Sequence, residues 1–176
     1  MDPIKIIQKY YRKDSKEYKI ILEHSKLVAK KALEIAEKLE KKGIKLDKKF
    51  IKEAAMLHDI GCIKTNSKSV GRGKEHYVKH GILGREILEK ENLPKHALVA
   101  ERHIGVGIKK EQTKKLGLPK RDMLPTTIEE EIVCYADLFY SKKDDKETTL
   151  EEIRKEVKTW SKNCLDRFEN MVKKFE

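Results

Sequence analysis

The stretch Ala54-Ala-Met-Leu-His-Asp-Ile-Gly61 ends a predicted helix with two ionisable residues, and it decides the architecture around it. His58 follows Ala54 by one helical turn, so its imidazole falls on the apolar face of that helix. Asp59 comes next, where the chain turns at Gly61. A carboxylate directed into a core is costly unless it is paired or bound to a metal ion. We therefore expect His58 and Asp59 to meet ionic partners inside the protein.

Two more polar residues fall on apolar helix faces elsewhere in the chain. His24 shares its face with Ile20 and Leu27, and Asp137 follows Val133 by one turn. Together with the first pair they bring two imidazoles and two carboxylates to the core from three helices, a donor set that suits a divalent metal ion. Singly, an inward histidine is more often a hydrogen-bonded core residue, and an aspartate near a helix end is more often a cap. The combination carries the prediction of a metal site.

Apolar residues recur at helical spacing along almost the whole chain, and no segment alternates with period two for long. Glycine, proline and capping signals divide this pattern into helices that begin near Pro3 and then cover about 15–42, 47–59, 77–90, 95–103, 109–116, 127–140 and 149–172. The chain contains no internal repeat and no linker longer than a loop. The predicted fold class is all-α, with one domain over residues 1–176.

Composition and charge exclude some classes of protein. The 176 residues include 41 lysines and arginines against 30 aspartates and glutamates, a net charge of +11. No stretch without these four residue types exceeds six residues, which excludes a transmembrane helix, and the N-terminal sequence lacks a secretory apolar region. We expect a cytoplasmic protein without a membrane partner. The lysine-rich balance is typical of proteins from hot environments and is compatible with a nucleic-acid partner.

The motif Ala54–Gly61, with His24 before it and Asp137 in Tyr135-Ala-Asp-Leu-Phe139 after it, resembles the HD superfamily of metal-dependent phosphohydrolases. More narrowly, it is similar to the His-Asp-Ile-Gly variant found in small archaeal proteins. The resemblance covers a core of about residues 19–140, and its elements occur in the family's order. It implies a single-domain HD-type helical bundle in which one metal ion is bound by His24, His58, Asp59 and Asp137.

Many members of that superfamily hold a second ion, which shares the central aspartate and is bound by two later histidines. His80 begins the stretch His80-Gly-Ile-Leu-Gly84, similar to the family's His-x-x-x-Gly helix start, and His103 lies in Glu101-Arg-His-Ile-Gly105. Both align with apolar neighbours and are expected to face the core. The resemblance thus implies one or two divalent transition-metal ions, and histidine ligands suit Mn, Fe, Co, Ni or Zn better than Mg. Ile104, where some members have a second histidine, argues against a third ion.

The reaction that the resemblance implies is hydrolysis of a phosphoester by metal-activated water, in a phosphorylated small molecule, a nucleotide or a nucleic-acid end. Asp59 would be the central catalytic residue. Lys64 and Arg102 are among the cations nearest to the metal motifs in sequence. They are predicted to contact phosphate, since lysine offers a point charge and arginine a bidentate fork. The loop over about 141–148 is charged and is expected to be solvated.

Two alternatives stay open at the level of sequence. The six expected ligands are also similar to those of the HD-type di-iron oxygenases, which cleave C–C or C–P bonds with dioxygen. The other alternative is a non-catalytic module that binds RNA or a nucleotide through its basic surface. Against it, aromatic residues are only 6% of the chain. Structural metal sites usually fill every coordination position with cysteine or histidine, whereas this ligand set leaves positions open for water. The segment 109–127 is either a lid or a connection, and the sequence does not indicate the oligomeric state.

Overall fold

Helices form nearly all of the regular structure. The computed structural model describes residues 1–144 and 146–176. These residues form an all-α fold without strands, as predicted, and two short 3-10 helices lie at Ile60–Lys64 and Tyr77–Lys79. The α-helices of the described residues are α1 (Pro3–Tyr10), α2 (Lys16–Lys41), α3 (Lys48–Leu57), α4 (His80–Lys90), α5 (Pro94–Arg102), α6 (Lys110–Leu116), α7 (Ile128–Asp137), α8 (Leu150–Trp160) and α9 (Lys162–Phe175).

The long helix α2 is the support on which the rest of the bundle packs. It begins at the N-cap Ser15, whose hydroxyl accepts a hydrogen bond from the Tyr18 backbone N–H (3.1 Å). Its apolar stripe, which includes Val28, Ala32 and Leu39, is fully or almost fully buried and packs against α3 and α7. One face of α2 therefore meets the two helices that carry the remaining predicted ligands of the first ion.

The chain changes direction at the junction of α3 with the first 3-10 helix. Helix α3 ends at Leu57, and Asp59 precedes the 3-10 helix. A Cβ atom on Gly61 would lie 2.0 Å from the backbone oxygen of His80 and 2.3 Å from the backbone nitrogen of Gly84. Because no side chain fits into that space, glycine is what allows the 3-10 helix to lie directly against α4. This contact brings His80 next to Asp59.

The C-terminal region departs from the prediction of one helix over 149–172, because the structure has two helices there. Ser161 is extended, with φ −178° and ψ 162°, and its hydroxyl accepts a hydrogen bond from the Cys164 backbone N–H (3.1 Å). It is thus the N-cap of α9 and not an interior residue. Helix α9 folds back on α8, and Arg154 pairs with Glu169 (Nε–Oε1 2.5 Å). The apolar period continues through the break, since both helices bury residues in the same core.

A single main core joins helices from both ends of the chain. Its buried members run from Ile6 and Ile7 on α1 to Phe168 and Phe175 on α9. The described residues thus form a single compact helical domain, in agreement with the predicted fold class. Among the described residues, no helix combines the length and the apolarity that crossing a membrane requires.

Candidate metal centre

The predicted metal ligands lie where several helices end around a common point. His24 is the exception, since it lies in the middle of α2. His58 is the C-cap of α3, Asp59 follows it, and Asp137 is the last residue of α7. The side chains of His24, His58 and Asp59 are 2% exposed or less, and that of Asp137 is 17% exposed. Helix packing therefore delivers four donors to one buried position.

The first donor group consists of His24, His58, Asp59 and Asp137. The Nε2 atom of His24 lies 3.3 Å from that of His58, 3.1 Å from Asp59 Oδ2 and 3.0 Å from Asp137 Oδ1. The Nε2 atom of His58 lies 3.2 Å from each of the same two oxygens. A tetrahedron with edges of about 3.2 Å has its centre about 2 Å from each corner, which is the length of a bond from histidine or carboxylate to a transition metal. The spacing thus fits one ion.

The second donor group consists of Asp59, His80 and His103, and it uses the other oxygen of the shared carboxylate. His80 is the first residue of α4, and His103 is the C-cap of α5. Their Nε2 atoms lie 3.1 Å apart, and each lies 3.4 Å from Asp59 Oδ1. The carboxylate of Asp59 therefore faces the first group with Oδ2 and the second group with Oδ1, which is the arrangement of a bridging ligand.

Backbone carbonyls fix the ring orientation of three of the four histidines. The Nδ1 of His58 donates to Ala55 O (2.6 Å), that of His80 to Tyr77 O (2.7 Å), and that of His103 donates to Ala100 O in the same way, at 2.8 Å. A carbonyl oxygen only accepts, so each Nδ1 carries a proton and Nε2 is the ring nitrogen left to bind a metal ion. The Nε2 atoms point at one another and at Asp59, as second-shell hydrogen bonds arrange them in metal sites. The residues therefore fit a metal ion.

The electrostatics of the two groups differ. Burial alone would lower the pKa of His58, but the carboxylates of Asp59 and Asp137 raise it to about 10. Burial lowers the pKa of His80 to about 3, against the attraction of Asp59. Burial would raise the pKa of both carboxyl groups, and Lys142 and His58 hold that of Asp59 well below its usual value. The first group thus binds positive charge, and the second group depends on one shared carboxylate for its negative charge.

Lys142 is a functional candidate that the sequence did not reveal. Its Nζ lies 2.5 Å from Asp59 Oδ2, with the side chain 15% exposed, and 5.8 Å from the centre of the Tyr77 ring. Lys142 and Asp59 form an ion pair. The contact does not have the geometry of a hydrogen bond, and among the described residues no donor forms one with Oδ2. The charged loop over 141–148 was expected to be solvated, and for Lys142 that expectation is wrong. The sequence shows only that Lys142 lies five residues after Asp137, in the loop that follows α7.

The two cations predicted to contact phosphate are engaged by carboxylates. Lys64 lies 3.4 Å from Glu86 (Nζ–Oε2) at the surface. Arg102 donates to both carboxylate oxygens of Glu130 at 2.9 Å and to Thr126 at 2.8 Å. No contact joins either cation to the donor groups within the part of the chain that the structure describes. Their role in phosphate binding stays a prediction.

Three cavities border residues of the first donor group, and two of them are also lined by Lys142. The larger of these two, which we call the lysine cleft, has a volume of about 630 Å³ and is lined by residues that include Lys16, Ser67, Ser69, Asp137, Lys142 and Lys143. The smaller one, of about 310 Å³, reaches His24 and shares Lys142 and Lys143 with the first. Lys142 therefore stands between them. The segment 109–127 lines neither cavity.

Comparisons with known proteins agree with this geometry. The sequence profile that describes the HD domain matches residues 21–141. An uncharacterised protein of Methanocaldococcus jannaschii is 37% identical over 140 residues, which cover 78% of this chain and 77% of that protein. Two proteins named tRNA (cytidine(56)-2′-O)-methyltransferase are also similar. The one from Picrophilus torridus is 37% identical over 69% of this chain, and the one from Thermoplasma volcanium is 32% identical over 76%.

This chain spans only about a third of the length of those two methyltransferases, 32% and 35% respectively. Their similarity therefore concerns one part of a longer protein. No solved structure gives a significant match to the chain.

Proposed function

Because the chain belongs to the HD domain family, we propose that it is a metal-dependent phosphohydrolase that cleaves a phosphoester in a nucleotide or at a nucleic-acid end. The observation that carries the proposal is the division of Asp59 between two donor groups, with Oδ2 facing His24 and His58 and Oδ1 facing His80 and His103. Two-metal sites with a shared ligand serve the hydrolysis of phosphoesters.

The two donor groups would bind the ions, and backbone groups would hold the donors in place. The first donor group would hold one divalent ion and the second donor group another, with Asp59 shared. Such ions lower the pKa of a bound water towards neutrality and stabilise charge on the phosphoryl oxygens. The backbone carbonyls behind His58, His80 and His103 hold the rings in place, so the donors need not reorganise during the reaction. Asp137, which lines the lysine cleft, is the ligand next to an entering substrate.

The lysine cleft supports an anionic substrate of small-molecule size. The lysine cleft contains three lysines, Lys16, Lys142 and Lys143, beside the first donor group. Its volume of about 630 Å³ lies within the usual range for small-molecule sites, about 300–1,000 Å³. The relatives named tRNA methyltransferases support a substrate connected with RNA. A nucleotide or an RNA terminal phosphoester would match both.

A panel of phosphoesters tests the proposal. The protein, loaded separately with Mn²⁺, Co²⁺ or Ni²⁺, would be assayed on p-nitrophenyl phosphate, bis-p-nitrophenyl phosphate, nucleoside 2′,3′-cyclic phosphates, mononucleotides and end-phosphorylated oligoribonucleotides. We expect metal-dependent release of phosphate or of an alcohol from at least one of these. Asp59→Asn should abolish that activity, and His96→Gln should retain it. His96 is a matched control because it is a partly buried histidine outside both donor groups, with its side chain 11% exposed beside Glu53.

Lack of hydrolysis of every compound by the metal-loaded protein would contradict the proposal. Iron-dependent consumption of dioxygen in its place would identify the oxygenase alternative. Binding of RNA without turnover would identify a binding module. The predicted phosphate contacts are tested in the same assay, since Lys64→Gln and Arg102→Gln should each raise KM if those side chains touch substrate.

A further inference from the structure

Lys142 lies between the first donor group and the lysine cleft. We propose that Lys142 is the phosphate-binding residue of this site: its ammonium leaves Asp59 when a divalent ion binds the first donor group, and it then binds the phosphoryl group of a ligand in the lysine cleft. The proposal rests on the proposed function in that it assigns a phosphorylated ligand to the same cleft. It goes further by naming the residue that recognises the phosphate.

The first step of the argument concerns one oxygen atom. Oδ2 of Asp59 lies 2.5 Å from Lys142 Nζ, and it is also the oxygen that faces His24 and His58 at 3.1 and 3.2 Å. An ammonium and a divalent ion at the same oxygen repel each other strongly in a buried setting. Binding of an ion by the first donor group would therefore release Lys142 from Asp59.

The second step concerns where the released side chain goes. Lys142 belongs to the loop after α7 and lines two of the cavities that border the first donor group. Its backbone neighbours Ser141 and Lys143 line the same cavities, so a change of side-chain rotamer is enough to direct the ammonium into either of them. In the larger cavity it would join Lys16 and Lys143, which makes three positive charges in the cleft.

The third step concerns the ligand. Three ammonium groups and the hydroxyls of Ser67 and Ser69 in one cleft suit the oxygens of a phosphoryl group. The other predicted phosphate contacts, Lys64 and Arg102, are paired with Glu86 and Glu130. Lys142 would instead be paired with Asp59 only until an ion takes its place. It is thus the cation that becomes available at the donors when the centre is filled.

The first measurement is the affinity for Mn²⁺ alone, determined by calorimetry for the wild type, Lys142→Gln and the control Lys155→Gln. Lys155 is an exposed lysine on α8 that pairs with Glu151 and contacts neither donor group among the described residues. Because Lys142→Gln removes the competing ammonium, we expect it to bind Mn²⁺ at least about tenfold more tightly than the wild type. The control should bind as the wild type does. Equal or weaker binding by Lys142→Gln would overturn the exchange of ammonium for metal.

The second measurement is the affinity of the Mn²⁺-loaded proteins for inorganic phosphate and for AMP, without turnover. Loss of a charge-assisted contact should weaken both by about tenfold or more in Lys142→Gln. Lys142→Arg, which keeps the positive charge, should retain most of the affinity and guards against a folding defect in the first variant. Unchanged phosphate affinity in Lys142→Gln would overturn the proposal. Because no hydrolysis is measured, weakened binding would support the role of Lys142 even if the protein proved not to be a hydrolase.

Discussion

The two donor groups share Asp59 but differ in charge and in access. The first group contains two carboxylates, contacts Lys142 and includes Asp137, which is 17% exposed and lines the lysine cleft. The second group adds only two histidines to the shared carboxylate, and the side chains of His80 and His103 are 6% and 1% exposed. The first group borders the lysine cleft and has two carboxylates, and the second group is enclosed and has only the shared one.

The pKa directions express the same difference. Carboxylates raise the pKa of His58 in the first group, whereas burial lowers that of His80 in the second. A divalent ion is stabilised by negative donors, so the first group should bind its ion more tightly than the second. Binding of the second ion therefore depends on how Asp59 is positioned, and substitutions that alter one group or the other should separate the two.

Asp59→Asn should have the largest effect, because Asp59 belongs to both groups. Replacing the carboxylate removes one negative donor from each ion, and we expect kcat/KM to fall by about 10³-fold or more, roughly 4 kcal/mol of transition-state stabilisation. Steady-state kinetics with saturating Mn²⁺ measure this loss. Retention of more than a tenth of the wild-type activity would show that the reaction does not require the shared carboxylate.

Gly61→Ala should disrupt the packing that holds the second group beside the first, without changing a ligand. The new Cβ would lie 2.0 Å from His80 O and 2.3 Å from Gly84 N, so the first 3-10 helix and α4 must move apart. We expect unfolding to become easier by about 3 kcal/mol or more, measured by chemical denaturation. The matched control is Gly117→Asn, at a left-handed helix end with no atom within 4 Å of the added Cβ, which should cost much less. Similar costs for the two variants would contradict the close packing at Gly61.

His103→Gln should affect the second group alone. Loss of one of its two histidines should weaken the second ion by about 100-fold and leave the first ion in place. Elemental analysis after dialysis should give one ion per chain, against two for the wild type and for His96→Gln. Loss of both ions would show that the first group does not bind on its own, contrary to the difference in charge between the groups.

How much of the site could be predicted depends on whether a residue acts through its own helix or through a distant contact. His24, His58 and Asp137 lie on apolar helix faces, so the helical period of the sequence is enough to predict that they point inward. The family resemblance added His80 and His103. That these residues bind metal stays a prediction, but the structure does bring all of their donor atoms together.

Features that depend on tertiary packing leave no periodic signal in the sequence. The inward position of Lys142 follows from where α7 ends relative to Asp59, and a loop with several charges does not indicate which of them turns inward. The helix break at Ser161 was not predicted because apolar spacing continues across it. Gly61 was predicted as a helix stop, whereas its main role in the structure is the close approach to α4.

The smallest expected effect concerns His96, a histidine that belongs to neither group. Burial lowers its pKa, against Glu53 and Asp47, which raise it, while the charged N-terminus of Met1 also lowers it. A lowered pKa means that the unfolded chain binds a proton first, so stability should fall as the pH drops below about 6.5. His96→Gln should reduce this loss between pH 7.5 and pH 5, as measured by urea unfolding. A steeper loss in the variant would mean that Glu53 dominates and that the charged form is favoured.

The central claim is that Asp59 divides its two carboxylate oxygens between two metal ions. Anomalous diffraction from crystals soaked with Mn²⁺ tests it most directly, because it locates the ions themselves. We predict two peaks about 3.5–4 Å apart, one beside Oδ2 among the first donor group and one beside Oδ1 between His80 and His103. A single peak, or none, would contradict the bridged centre.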